Sequence, residues 1–176
     1  MQTIWRWLKR LGTVGGLLLA LGYFSFCAYS LPRHAKVHVT GTEISRRDVE
    51  LPDGRIRTDD VRYVMAEDLD GSPRMFRNED TGWGWPPYFK FDSGDLAAQA
   101  NNLATEARDE TVLVSYYGFR VRMLSMFPNL LSMRVVPPDH DPIPWLTLFV
   151  VFLHLVLLGV AITVLRSWRE SLQAPD

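Results

Sequence analysis

The sequence predicts a membrane protein with two transmembrane helices flanking a small, mainly β (α+β) domain, and three observations predict it. Leu11 to Leu31 is a run of 21 residues without Asp, Glu, Lys, Arg or His. Ile143 to Leu165 is a run of 23 residues whose one ionisable member is His154. Between the runs, short segments of alternating apolar and polar residues are punctuated by Gly, Pro and Asp, the pattern of strands and turns. At about 1.5 Å of rise per residue, either run crosses a hydrocarbon layer about 30 Å thick. A helix is the open-ended structure that satisfies its own backbone there.

The chain of 176 residues thus divides into a tail (1–10), a first span (11–31), a central domain (32–142), a second span (143–165) and a second tail (166–176). Arg6, Lys9 and Arg10 precede the first span, and Arg166 and Arg169 follow the second, opposed only by Glu170 and Asp176. Positive flanks at both ends place both termini in the cytoplasm, and the connecting segment is too long to be retained by charge. The expectation is a multi-pass protein of the bacterial cytoplasmic (inner) membrane with an extracytoplasmic central domain. That domain carries 14 basic and 18 acidic residues, a net of −4, which argues against nucleic acid as a partner. Cys27, inside the first span, is the single cysteine, so the domain holds no disulfide. Ala28-Tyr29-Ser30 also resembles a signal-peptide cut site. The apolar run is longer than the usual signal core, and Tyr23, Phe24 and Phe26 make it bulky, so an uncleaved anchor is preferred. Phe26 stands before Cys27 where a lipoprotein signal has a small residue.

Within the domain, Lys36 to Ile44 alternates as a half-buried strand. Pro52-Asp53-Gly54 is a turn, and Thr58-Asp59-Asp60 reads as loop. Val61 to Glu67 alternates again, Asp70-Gly71 marks a hairpin, and Arg74 to Asn78 is the returning strand, with Pro73 at its start. Thr81 to Phe91 is too rich in Gly, Pro and aromatics for a regular element. A helix follows, capped by Asp92 or Ser93, with Asp95 at the positive end of its dipole and Leu96, Gln99, Ala100 and Leu103 on one face. Val112 to Gly118 and Leu130 to Val136 are the last strands, joined through Met123 to Asn129. Three strands, a helix and two strands is the order of a five-stranded Greek-key barrel of the oligonucleotide/oligosaccharide-binding type. A small open sheet with one packed helix is the alternative.

The densest stretch is Asn78 to Asp92, with five aromatics in the nine residues from Trp83 to Phe91. Trp83, Trp85, Tyr88 and Phe89 are the candidate partner- or ligand-binding residues, because aromatic faces stack on rings and anchor interfaces. Contact with lipid headgroups and a plug that completes a small core are the competing roles. Glu79, Asp80 and Asp92 could act as an acid and base of a glycosidase, although Asp92 suits a helix cap. Ser115, Ser125 and Ser132 lack a nucleophile-elbow context. His34, His38 and Asp139-His140-Asp141 lack a diagnostic metal spacing and read as solvated side chains. No metal or cofactor is expected. Gly12, Gly16 and Ala20 form a small-residue stripe suited to close helix packing. His154, at mid-span, reads as a polar tie between helices or protomers, its depth matching Leu21 to Tyr23.

From Val37 to the second span the chain resembles a bacterial family of short membrane proteins known as domain of unknown function 1523. The resemblance is carried by Thr40-Gly41-Thr42-Glu43, the stretch from Arg77 to Asp92, Tyr117-Gly118, and Ser125 with Phe127-Pro128-Asn129. It implies the same layout of span, domain and span, and no activity, cofactor or catalytic residue. The residues point to an interaction or structural module that docks an envelope protein, or another copy of itself, beside the lipid bilayer. The alternative is an enzyme acting on envelope glycans or lipid headgroups through Glu79, Asp80 or Asp92.

Overall fold

The computed structural model describes residues 2–50 and 52–173, and the side chains of all of these except 2–5, 8, 9, 47, 49, 57, 59 and 171–173. Helix α1 (Gln2–Ser30) leads into strand β1 (Arg33–Glu50), followed by β2 (Ile56–Asp68), β3 (Pro73–Arg77), α2 (Ser93–Glu106), β4 (Val112–Tyr117), β5 (Asn129–Val135) and α3 (Trp145–Gln173). Two compact units result, Met1–Asp141 and Pro142–Asp176. In each unit one helix is long and apolar enough to cross a membrane, Arg10–Ser30 in the first and Trp145–Glu170 in the second.

The five strands close into a barrel in the order β1-β2-β3-β5-β4. The expected order of elements is therefore the observed one, and the sheet is closed rather than open. All pairings are antiparallel except the short β3–β5 contact at Arg77 and Asn129. Closure depends on β1, which pairs with β4 over Arg33 to Val37 and with β2 from Val37 onward. A register shift between Val39 and Gly41 lets one strand serve both edges, since a bulge bends a strand and increases its twist.

The β1–β2 hairpin is longer than the alternation predicts. Thr58, Asp59 and Asp60, expected as loop, pair with Asp48, Arg47 and Arg46. From the Arg46–Asp60 pair outward the described side chains of this ribbon are exposed, so no buried face imposes alternation on the sequence. Polar pairs hold it instead: the Thr58 hydroxyl donates to Asp48 (2.7 Å), and Arg46 faces Asp60 at 3.4 Å. The turn at Pro52-Asp53-Gly54 is as expected, with Gly54 at a left-handed φ of 78°. Strands β3, β4 and β5 fall within one residue of their expected bounds.

The barrel core is built from alternate residues of each strand: Val37 and Val39, Val64 and Ala66, Phe76, Val112 and Val114, and Leu130. Helix α2 adds Leu96, Ala100 and Leu103. Gln99, placed on the same face by its spacing, stays at the margin and donates to the Met133 carbonyl at 3.4 Å. The cap of α2 differs from expectation. The Asp92 side chain makes no capping bond. Asp80 folds back and takes that role: one carboxylate oxygen accepts the Ser93 N–H (2.9 Å) and the other the Ser93 hydroxyl (3.0 Å).

Phe76 is the largest fully buried side chain of the core. Phe76→Ala is expected to lower the stability of the full chain by about 3–5 kcal/mol, read from the denaturant midpoint of the barrel in detergent.

Candidate functional site

The Thr81–Phe91 loop is closed at its base by short-range bonds. The Gly82 N–H donates to Lys90 O (3.1 Å), the Lys90 N–H to the Thr81 hydroxyl (3.1 Å), and the Gly84 N–H to Thr81 O (3.0 Å). The Trp85–Pro86 peptide is cis. Under the loop lies a polar cluster that sequence reasoning missed. Lys90 is buried, and its ammonium donates to Asn78 Oδ1 (2.6 Å) and Leu130 O (2.8 Å). Asn78, also buried, donates from its amide to Ser93 O at 2.8 Å. Burial pushes the Lys90 pKa down to about 8, against the opposing pull of Asp92, Asp80 and Glu79. Asn129 exchanges two bonds with the backbone of Glu79, each 3.0 Å, and donates to the Tyr117 hydroxyl at 3.1 Å.

The aromatic residues divide into two groups with different surroundings. Trp85 and Tyr88 turn toward the C-terminal end of α1. The Trp85 ring stacks on Phe26 (centroids 5.3 Å apart, planes 14° from parallel), and its indole N–H donates to the Ser30 hydroxyl at 3.0 Å. The Tyr88 hydroxyl donates to Ser30 O, and its ring lies 5.3 Å from that of Tyr117. Burial first, and then Tyr117, push the Tyr88 pKa up to about 12. Tyr29 packs edge-on against Tyr117 and Phe119.

Helix ends leave their last four carbonyls without intrahelical donors. At the end of α1 each of the four is taken. Cys27 O accepts from the Leu31 N–H (2.9 Å), Ala28 O from the Arg33 guanidinium (3.3 Å), Tyr29 O from the Gly118 N–H (2.9 Å), and Ser30 O from Tyr88. Gly118 is required there. Its φ is 91°, a backbone conformation that residues with a Cβ rarely adopt.

Trp83 and Phe89 point elsewhere. With Phe91, which the sequence reading did not select, they form an edge-to-face cluster, Trp83 lying 5.4 Å from Phe89 and 5.8 Å from Phe91. The three are 85%, 53% and 58% exposed. Phe89 holds a left-handed φ of 50°, a conformation that disfavours a residue with a bulky side chain.

The other candidates are placed as follows. Both Asp80 oxygens are engaged by Ser93, and Glu79 pairs with Arg77 at 2.5 Å, so these two carboxylates hold the loop in place. His38 Nδ1 lies 3.1 Å from Glu110 O, His140 lies 3.5 Å from Arg134, and Asp141 pairs with Lys36 at 3.0 Å. Among the described residues no three His, Cys, Asp or Glu side chains are grouped to hold a metal ion. Gly12, Gly16 and Ala20 lie on the exposed surface of α1. His154 Nδ1 lies 2.6 Å from the Val150 carbonyl oxygen of its own helix.

A family model described as "Protein of unknown function (DUF1523)" matches residues 8–170 of the chain. An uncharacterised protein of Haemophilus influenzae is 33% identical over 156 residues, which cover 84% of this chain and 87% of that protein. No solved structure matches.

Two outcomes are expected. For Lys90, the folded-state pKa of about 8 lies below the ordinary value of 10.5. Between those values the unfolded chain holds the extra proton, so the stability contributed by this site rises with pH across that window. The stability difference between the wild type and Lys90→Met, followed by chemical denaturation from pH 7 to 10.5, should shift in favour of the wild type. Tyr88→Phe leaves Ser30 O without its donor and should cost about 1–3 kcal/mol, with faster amide hydrogen exchange at Gly118.

Proposed function

The chain belongs to the DUF1523 family, and from that premise we propose that it is a twice-spanning protein of the bacterial inner membrane whose barrel docks a protein partner on the outer side. Two long apolar helices and positively charged flanks at both ends support the membrane topology. Both tails are cytoplasmic in this reading, and the barrel is extracytoplasmic.

The observation that carries the docking role is the outward cluster of Trp83, Phe89 and Phe91. Trp85 and Tyr88 join the loop to α1, so the loop is already held without the other three rings. A clustered aromatic surface on a braced loop has the composition and rigidity of an interface hot spot. A left-handed aromatic residue is a poor choice for a loop that only needs to turn, and glycine would serve there at lower backbone cost. Phe89 therefore reads as retained for its side chain. The partner suited to this surface is an envelope protein with an apolar pocket wide enough for an indole ring.

Trp83→Ala and Phe89→Gly are expected to leave the stability of the barrel within about 1 kcal/mol of the wild type. A photocrosslinking amino acid at position 83 of the full chain in cells should give a discrete protein adduct, and Phe89→Gly should abolish it. Unfolding by Trp83→Ala, or adducts to lipid alone, would overturn the docking role. Reporter fusions should be active in the cytoplasm at both tails and outside it at the Pro52–Gly54 turn.

A further inference from the structure

The β4–β5 connection (residues 118–128) borders a groove of about 700 Å³ lined mainly by β2 and β3, with Arg33 and Thr40 of β1 and Tyr116 of β4. Four arginines line it, Arg33, Arg74, Arg120 and Arg122, against a single acidic residue, Glu67. Asp68 neutralises Arg74 at 2.8 Å, which leaves three cations facing one anion. That concentration stands out in a domain whose net charge is −4. The Arg120 guanidinium carbon lies over the Phe127 ring, 3.9 Å from its centroid, and the group gives one N–H to Met126 O at 2.9 Å. A guanidinium has five N–H groups, so most of its donors are left for another acceptor. The Arg122 side chain makes no hydrogen bond or ion pair among the described residues. Weakly hydrated guanidiniums, two of them seated over aromatic rings, suit the planar, two-oxygen recognition of a phosphate.

The position of the groove narrows the source of that phosphate. Arg33 is three residues past the last residue of α1, donates back to Ala28 O and lies over Phe119. Gly118, at the other edge, is bonded to Tyr29 O. The groove therefore begins where α1 ends. The connection that borders it also carries an apolar tip. Met123 and Leu124 are 96% and 68% exposed, on a tight turn closed by the Val121–Met126 bridge, with Arg120 and Arg122 beside them. An apolar tip with flanking arginines is the composition of a segment that enters the headgroup layer while its cations stay with the phosphates.

We propose that this groove holds the phosphodiester headgroup of an acidic phospholipid in the leaflet from which α1 emerges. Arg33, Arg120 and Arg122 pair with the phosphate oxygens, and Met123 and Leu124 rest among the upper acyl chains. This rests on α1 crossing the membrane, and it is independent of the Trp83 surface.

The test uses the full chain in nanodiscs of equal phosphatidylglycerol and phosphatidylcholine with matched acyl chains, released for native mass spectrometry. The wild type is expected to retain phosphatidylglycerol about tenfold over phosphatidylcholine. Arg122→Gln removes a side chain with no internal bond to lose and should reduce that preference several-fold, and Arg120→Gln with Arg122→Gln should abolish it. Thermal stability should be unchanged in Arg122→Gln. Met123→Ser with Leu124→Ser should weaken retention of both lipids. Equal retention by the wild type, or an unchanged preference in the double arginine variant, would overturn the proposal. So would displacement of phosphatidylglycerol by inorganic phosphate at millimolar concentration, which would assign the groove to a soluble anion. Wild-type protein that stays dispersed without detergent or lipid would instead remove the membrane reading beneath it.

Discussion

The arrangement of this molecule depends on how the barrel terminates α1. A helix that runs from an apolar segment into a folded domain must find donors for its last carbonyls, and an unpaired one in dry surroundings costs a few kcal/mol. Here the donors come from four separate places: the next turn of chain, the first residue of β1, the loop before α2 and the loop after β4. Residues far apart in sequence are thereby tied to one helical turn. The aromatic loop's composition follows from that task. Trp85 and Tyr88 each combine a large apolar body with one polar hydrogen, so each covers the helix while bonding to Ser30.

The same loop must also be held to the barrel, and the polar cluster beneath it does this. From Ser30 the contacts run through Tyr88, Tyr117 and Asn129 to the backbone of Glu79, and Lys90 and Asn78 join the loop base to β5 and α2. Burying an ammonium is unfavourable, and its lowered pKa expresses that cost. What Lys90 contributes is direction. A cation with two fixed acceptors has one place to sit, whereas an apolar side chain of similar volume could settle in several. Two carboxylates that might have suggested hydrolytic chemistry belong to this scaffold, Asp80 as the cap of α2 and Glu79 as the partner of Arg77.

The parts of this structure with a periodic signal were legible from residues alone. The two apolar helices, the order of strands, the α2 stripe and the Asp-Gly and Pro-Asp-Gly turns follow from spacing and turn chemistry. The far half of the β1–β2 hairpin was not legible, because with both faces in water its residues need not alternate. Asp80 as the cap of α2 was not legible either, since it lies 13 residues before the N–H it accepts and only the folded loop brings them together. The aromatic stretch was visible as a site but not divisible. Composition does not say which rings turn toward α1, so Trp85 and Tyr88 stood beside Trp83 and Phe89, and Phe91 was missed. One signal was there to be read. Lys is rare in this arginine-rich chain, and Phe89-Lys90-Phe91 sets one between two large apolar residues, an odd location for a solvated ammonium.

Only Leu31 and Pro32 separate α1 from β1, and β1 continues for 18 residues to the hairpin turn. At about 3.3 Å per residue its contour is at most roughly 60 Å. With the pivot locked by four carbonyls, this strand acts as a lever arm. A ten-degree rocking of the helix would sweep the distant turn through as much as about 10 Å on that contour. Small changes in helix tilt are thus magnified into large excursions of a charged fingertip at the far end of the hairpin.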